Sequence, residues 1–239
     1  MTDEGNQGMD PELPVVRLCV AGMQAEADGR ADAAYELFQQ AWDVAADDYE
    51  ACIAAHYLAR HQNSPEETLR WNQECLDRAD RVADERVRGF YPSLYLNMGK
   101  AYGELGLPAL AYGYFVRAAE RVDELPEGQY RDWNRFAIAE GLRTTAQGTS
   151  AVGTEGESAA RRSVEEGVDA SIRALLSQWC ARADLTALGL TLPVYLGYLG
   201  TDEDRMRLRT ALHMVHAARR LPEDEQSTLG AVIGAAALR

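Results

Sequence analysis

The sequence predicts an all-α protein: three helical hairpins with a closing helix, then a flexible linker and a small C-terminal helical bundle. Two observations carry that prediction. A pattern of Gly, Phe and Ala positions recurs along the first half of the chain, and beyond residue 170 apolar residues recur at helical spacing. No strand leading into a glycine-rich turn is visible.

The recurrence is clearest between the first and third hairpins. From about Val15 to Ala46, Gly22, Gly29, Ala34, Phe38 and Ala41 follow one another at intervals of seven, five, four and three residues. From about Pro92 to Val122, Gly99, Gly106, Ala111, Phe115 and Ala118 repeat the same intervals, with Tyr102 between the glycines. Between them, Glu50 to Asp80 reads as a degenerate copy. Asn63 stands where the turn glycine falls, followed by Thr68, Asn72 and Cys75. A glycine, or failing that an asparagine, ends one helix in a left-handed conformation and lets the chain reverse. Small alanines suit the close crossing of two helices, and Phe38 and Phe115 fill the gap between successive hairpins. A lone hairpin leaves an apolar face uncovered, so such units stack and end on an atypical helix. Tyr130 to Arg143, with Trp133, Phe136, Ile138 and Leu142, suits that closing role.

The patterns LxxAGxxAxxxGxxxxAxxxFxxA and YxxMGxxYxxxGxxxxAxxxFxxA resemble the tetratricopeptide repeat over about residues 15–122. Gly29 to Asn63 keeps the family's period of 34, whereas Asn63 to Gly106 spans 43, which places nine extra residues in the second hairpin, through Arg81 to Gly89. Ala25 departs from the large aromatic of the family's first helix, the closing proline is missing from repeats one and three, and repeat two lacks most signature residues. The resemblance implies a protein-binding scaffold whose concave face is lined by the first helix of each hairpin. Met23, Glu26, Tyr57, Arg60, Asn97, Lys100 and Glu104 fall there. Asn97 and Lys100 match groups with which some members grip a terminal carboxylate, but the rest of such a clamp is missing.

Beyond the repeats, Thr144 to Gly167 is rich in Gly, Ser, Thr and Ala and reads as a linker. The implied organisation is a disordered 1–10, a repeat domain 11–145, a linker 146–167 and a helical module 168–239. In that module Ile172, Leu175, Leu176, Trp179, Cys180 and Ala183 form one amphipathic helix, and Pro193 opens a short second one ended by Gly200. Thr201 and Asp204 resemble a capping box for a third that runs to about Leu221, and a fourth begins at Pro222.

Composition narrows the function. Net charge is −14, with −12 in residues 1–145, so a nucleic-acid backbone is disfavoured as a partner. No apolar run approaches the roughly 20 residues of a membrane span, and the acidic start is unlike a secretory signal, which points to a cytoplasmic protein. Four dispersed cysteines suggest buried thiols rather than a zinc or redox motif. Glycine-rich phosphate loops, GxSxG elbows and HExxH pairs are missing. His213 and His216 share a helix face, but two ligands do not make a metal site. With Arg205, Arg209 and Arg220 they form a stripe suited to an anion or an acidic partner. The leading reading is a non-catalytic protein- or peptide-binding module without cofactor or metal, with exposed helical edges that allow a homodimer. A regulatory sensor, whose repeats bind a small peptide or metabolite and signal to the C-terminal module, is the alternative. An enzyme such as an RNA methyltransferase is opposed by the missing cofactor loop and the charge.

Overall fold

The structure, a computed structural model, describes residues 10–149 and 157–235, all of whose regular elements are helical. Residues 1–9 of the expected disordered start lie outside the described residues. Contacts divide the chain into two units. The first comprises Met1–Asn134 and Gly141–Gly148, the second Arg135–Glu140 and Thr149–Arg239.

In the first unit the helices are α1 (Pro14–Ala27), α2 (Ala31–Asp43), α3 (Asp48–Leu58), α4 (Pro65–Val82), α5 (Glu85–Arg88), α6 (Tyr91–Glu104) and α7 (Pro108–Arg121). Packing follows chain order: α1 on α2, α3 on α4 and α6 on α7, with α2 on α3 and α4 on α6 linking the pairs. The reversals have a local cause. Gly29 (φ +75°) and Gly106 (φ +71°) are left-handed, and the amide after each returns to a carbonyl five residues back, Arg30 to Ala25 at 2.8 Å and Leu107 to Tyr102 at 2.9 Å. Ala34, Ala41, Ala111 and Ala118 are fully buried.

Phe38 and Phe115 do more than fill gaps between pairs. A Cβ on Gly22 would lie 2.3 Å from the Phe38 ring, and one on Gly99 would lie 2.7 Å from Phe115, so each helix pair seats its phenylalanine on the backbone of its first helix. Phe38 also stacks on Tyr57 of α3, with centroids 5.2 Å apart. Phe115 likewise meets Gly141 of the next helix, α8 (Gln129–Thr149), where an added Cβ would come within 2.5 Å.

The middle pair solves the same problem with the volumes exchanged. By repeat position His56 stands where Gly22 and Gly99 stand, and Asn72 where the phenylalanines stand. The His56 ring packs edge-on against Tyr57 and Phe90, while Asn72 is fully buried and donates to the Thr68 carbonyl at 2.8 Å. The additional residues lengthen the hairpin only in part, α4 having 18 residues where α2 has 13 and α7 has 14. Ala83 (φ 51°) ends α4 and the short α5 turns the chain into α6.

Burial of His56, with Arg60 nearby, pushes its pKa down to about 4. The fold therefore holds the neutral ring while the unfolded chain protonates near pH 6.5, so stability is complete above pH 6.5 and is lost as the pH falls towards 4. Between pH 7 and pH 5 the loss should be about 2 kcal/mol. Urea titrations at both values should show it, and a His56→Gln variant should show a much smaller difference.

The second unit contains α9 (Glu157–Ala181), α10 (Leu185–Leu196), α11 (Asp202–Ala217) and α12 (Glu223–Gly234). Its core joins Ile172, Leu175, Leu176, Trp179, Leu212 and Leu229. Trp179 donates Nε1–H to Glu225 at 2.8 Å, and Arg182 closes on the same carboxylate. The capping box is formed, with the Asp204 amide on the Thr201 hydroxyl at 3.1 Å. Asp204 is buried and also accepts from the Leu199 amide and from Arg135, a residue of this same unit.

Several boundaries differ from the sequence reading. The span 146–167 is helical at 146–149 and 157–167, because its alanines favour helix despite the glycines, and 150–156 lie outside the described residues. Cys180 and Ala183 leave the apolar stripe. Cys180 is exposed one position round from Trp179, and Ala183 (φ 57°) is the left-handed residue that ends α9. Pro193 sits inside α10 rather than opening it, since Asp184 caps the helix earlier, on the Ala187 amide at 3.1 Å. The missing Pro193 amide would have faced the carbonyl of Gly189, which has no side chain to crowd the ring. Arg219 (φ 52°) stops α11 short of Leu221.

Candidate functional site

Seven residues were expected on one face of α1, α3 and α6, and the structure treats them unequally. Tyr57 is a correction: only 8% exposed, it is a core ring stacked on Phe38 rather than an open contact, and burial with Cys19 nearby raises its phenol pKa. Met23 is half-buried against the same core. Glu26 is engaged on both oxygens by Arg60, at 2.8 and 2.9 Å, and by His61 at 2.7 Å, which ties α1 to the end of α3. The Arg60 guanidinium also lies 5.5 Å from the Tyr57 ring centre. Glu26, Arg60 and His61 thus form a braced wall between the first two hairpins.

On α6 the setting is more open. Asn97 is half-buried, while Lys100 and Glu104, one and two turns on, are exposed. The Lys100 ammonium lies 4.9 Å from the centre of the Trp133 ring, a cation–π distance. Trp133 stacks on Tyr130 with centroids 6.4 Å apart and planes 14° apart, and both rings are 52% exposed. Tyr130 lies near enough to Tyr57 to act on its phenol. Sequence reasoning assigned Trp133 to the core of the closing helix. Instead α8 buries Asn134, Ile138, Gly141 and Thr145, a strip spaced four, three and four, and leaves its two largest aromatics outside. The signal was that spacing, obscured because three of its four residues are polar or lack a side chain.

A stack of rings and guanidinium groups marks the outer helices as well. Trp42 and Trp71 meet edge to face at 5.1 Å, flanked by Arg78 and Arg70. A shallow cleft beside them is lined by Ala45, Asp48 and Arg78. Its charges are satisfied internally: Arg78 pairs with Asp48 at 2.9 Å and Glu74 at 2.7 Å, and the Arg78 guanidinium holds the Asp48 carboxyl below its usual range. That arrangement is a brace between α3 and α4.

The stripe on α11 flanks the buried face of the helix rather than opposing it. Arg205, Arg209 and His216 are accordingly half-buried and His213 is exposed, whereas Arg220 leaves the stripe, because the left-handed Arg219 puts it beyond the end of the helix. Arg205 is committed to Asp202 and to the Gly200 carbonyl, and His216 packs against Gly230 of α12. Among the described residues no group of three His, Cys, Asp or Glu side chains is placed to hold a metal ion, and no helix is long and apolar enough to cross a membrane.

No protein-family model matches the chain, and no curated protein or solved structure matches it either.

Proposed function

We propose that the first unit is a tetratricopeptide-like solenoid that binds an extended segment of another protein without catalysis. The observation that carries the reading is the exposed Tyr130–Trp133 pair with Lys100 against it, beside the braced wall of Glu26, Arg60 and His61. Two large rings left half in solvent while Asn134 is buried on the same helix are costly for a lone chain and useful to a binder. Aromatic and cationic side chains on rigid helices lose little entropy on contact, and they dominate the energetics of protein interfaces. Asn97 and Glu104 supply the polar rim.

The test is selection of peptides from a random display library on the full chain, followed by titration of the winners. Trp133→Ala and Lys100→Ala should each weaken binding at least about tenfold, the scale of a hot-spot truncation. A library that yields no binders, or binders indifferent to both substitutions, would contradict the proposal.

A further inference from the structure

We propose that the exposed sector of α11 binds the acidic face of α2 on a second copy of this chain, head to tail. The two faces are complementary in sequence and in their lack of internal partners. Residues 205–220 contain five arginines and two histidines and no carboxylate. Arg205 and Arg207 are neutralised by Asp202 and Glu203 one turn earlier. Arg209, His213 and Arg220 form no ion pair among the described residues; Met206 and Met214, 57% and 53% exposed, lie beside Arg209 and His213 on the helix surface, and Arg220 follows just beyond the helix end. At 100° per residue, Arg209, His213, Met206 and Met214 occupy one continuous sector of about 140°. Flexible methionines beside cations suit a surface that is covered by another protein.

Residues 10–50 carry ten acidic and two basic side chains. On α2, Asp32, Glu36 and Asp43 are spaced four and seven apart, so they share one face, and all three are exposed and without an ion pair among the described residues. Val44, 48% exposed, follows Asp43 at the end of the helix, to one side of that face. Although the chain repels itself at −14 overall, the Debye length near 0.1 M salt is about 10 Å, so apposed faces feel one another and little else. Because the two faces differ, the contact is heterologous and builds rings or short filaments rather than a two-fold dimer.

Sedimentation velocity of the full chain over a range of concentrations tests this. The wild type should associate in about 0.1 M salt and do so about tenfold more weakly in about 0.5 M. Arg209→Glu with Arg220→Glu, and separately Asp32→Arg with Glu36→Arg, should each sediment as monomers while keeping wild-type circular dichroism. An equimolar mixture of the two variants should associate again, because each then offers the charge that the other lacks. A wild type that stays monomeric, association that both variants retain, or a mixture that fails to associate overturns the proposal. None of these substitutions touches Lys100 or Trp133, so the result is independent of peptide binding.

Discussion

Phe38→Ala is expected to lower the unfolding free energy of the first unit by about 3–5 kcal/mol, the range for deleting a buried phenylalanine. The upper part of that range is favoured by what surrounds the ring. One side rests on Gly22, where the wall is helix backbone and cannot move in to fill a void. The other side is Tyr57 at 5.2 Å and His61 at 5.1 Å, so two further rings lose a partner. Amide exchange at Ile53 and Leu58, buried in this unit, follows it separately from the second unit, whose Trp179 would contribute to any tryptophan emission. A loss below about 1 kcal/mol would mean that the helix pair repacks and that the glycine seat is not what holds it.

In the second unit the corresponding substitution is Trp179→Ala, again with an expected loss of about 3–5 kcal/mol. Trp179 is fully buried, and its removal also strips Glu225, itself 6% exposed, of its indole donor. Arg182 remains to hold that carboxylate, which keeps the cost from rising further. Amide exchange at Leu175, Leu212 and Leu229 should accelerate while that at Leu94 and Phe115 changes little. Acceleration confined to the turns around Trp179 would show that the core does not depend on it.

These two residues also mark how far the sequence could be read. The glycine–phenylalanine intervals located both left-handed turns and the fully buried alanines, because a reversal and a close helix crossing leave residues with few chemical alternatives. The capping box at Thr201 was legible for the same reason. Hydropathy misled where burial was achieved without apolar side chains. Asn134, Gly141 and Thr145 carry the inner strip of α8, and Trp133 was misplaced as a result. Left-handed residues that are not glycine, at Ala83, Ala183 and Arg219, gave no advance sign of the helix ends they make. The site fared worse than the fold. Pattern put Lys100, Glu104 and Tyr57 alike on an open face; the first two are exposed, whereas Tyr57 is buried, because Phe38 reaches across to it from the preceding hairpin.

Lys100 is the only lysine in these 239 residues. Every lysine-directed modification within them therefore converges on the one ammonium group that lies against Trp133. Acetylation there would remove the charge and the cation–π contact in a single step. The same scarcity makes the position addressable at the bench: an amine-reactive reagent has only this side chain and any free chain terminus to label within these residues, so its attachment tests in one step whether the ammonium beside Trp133 is needed.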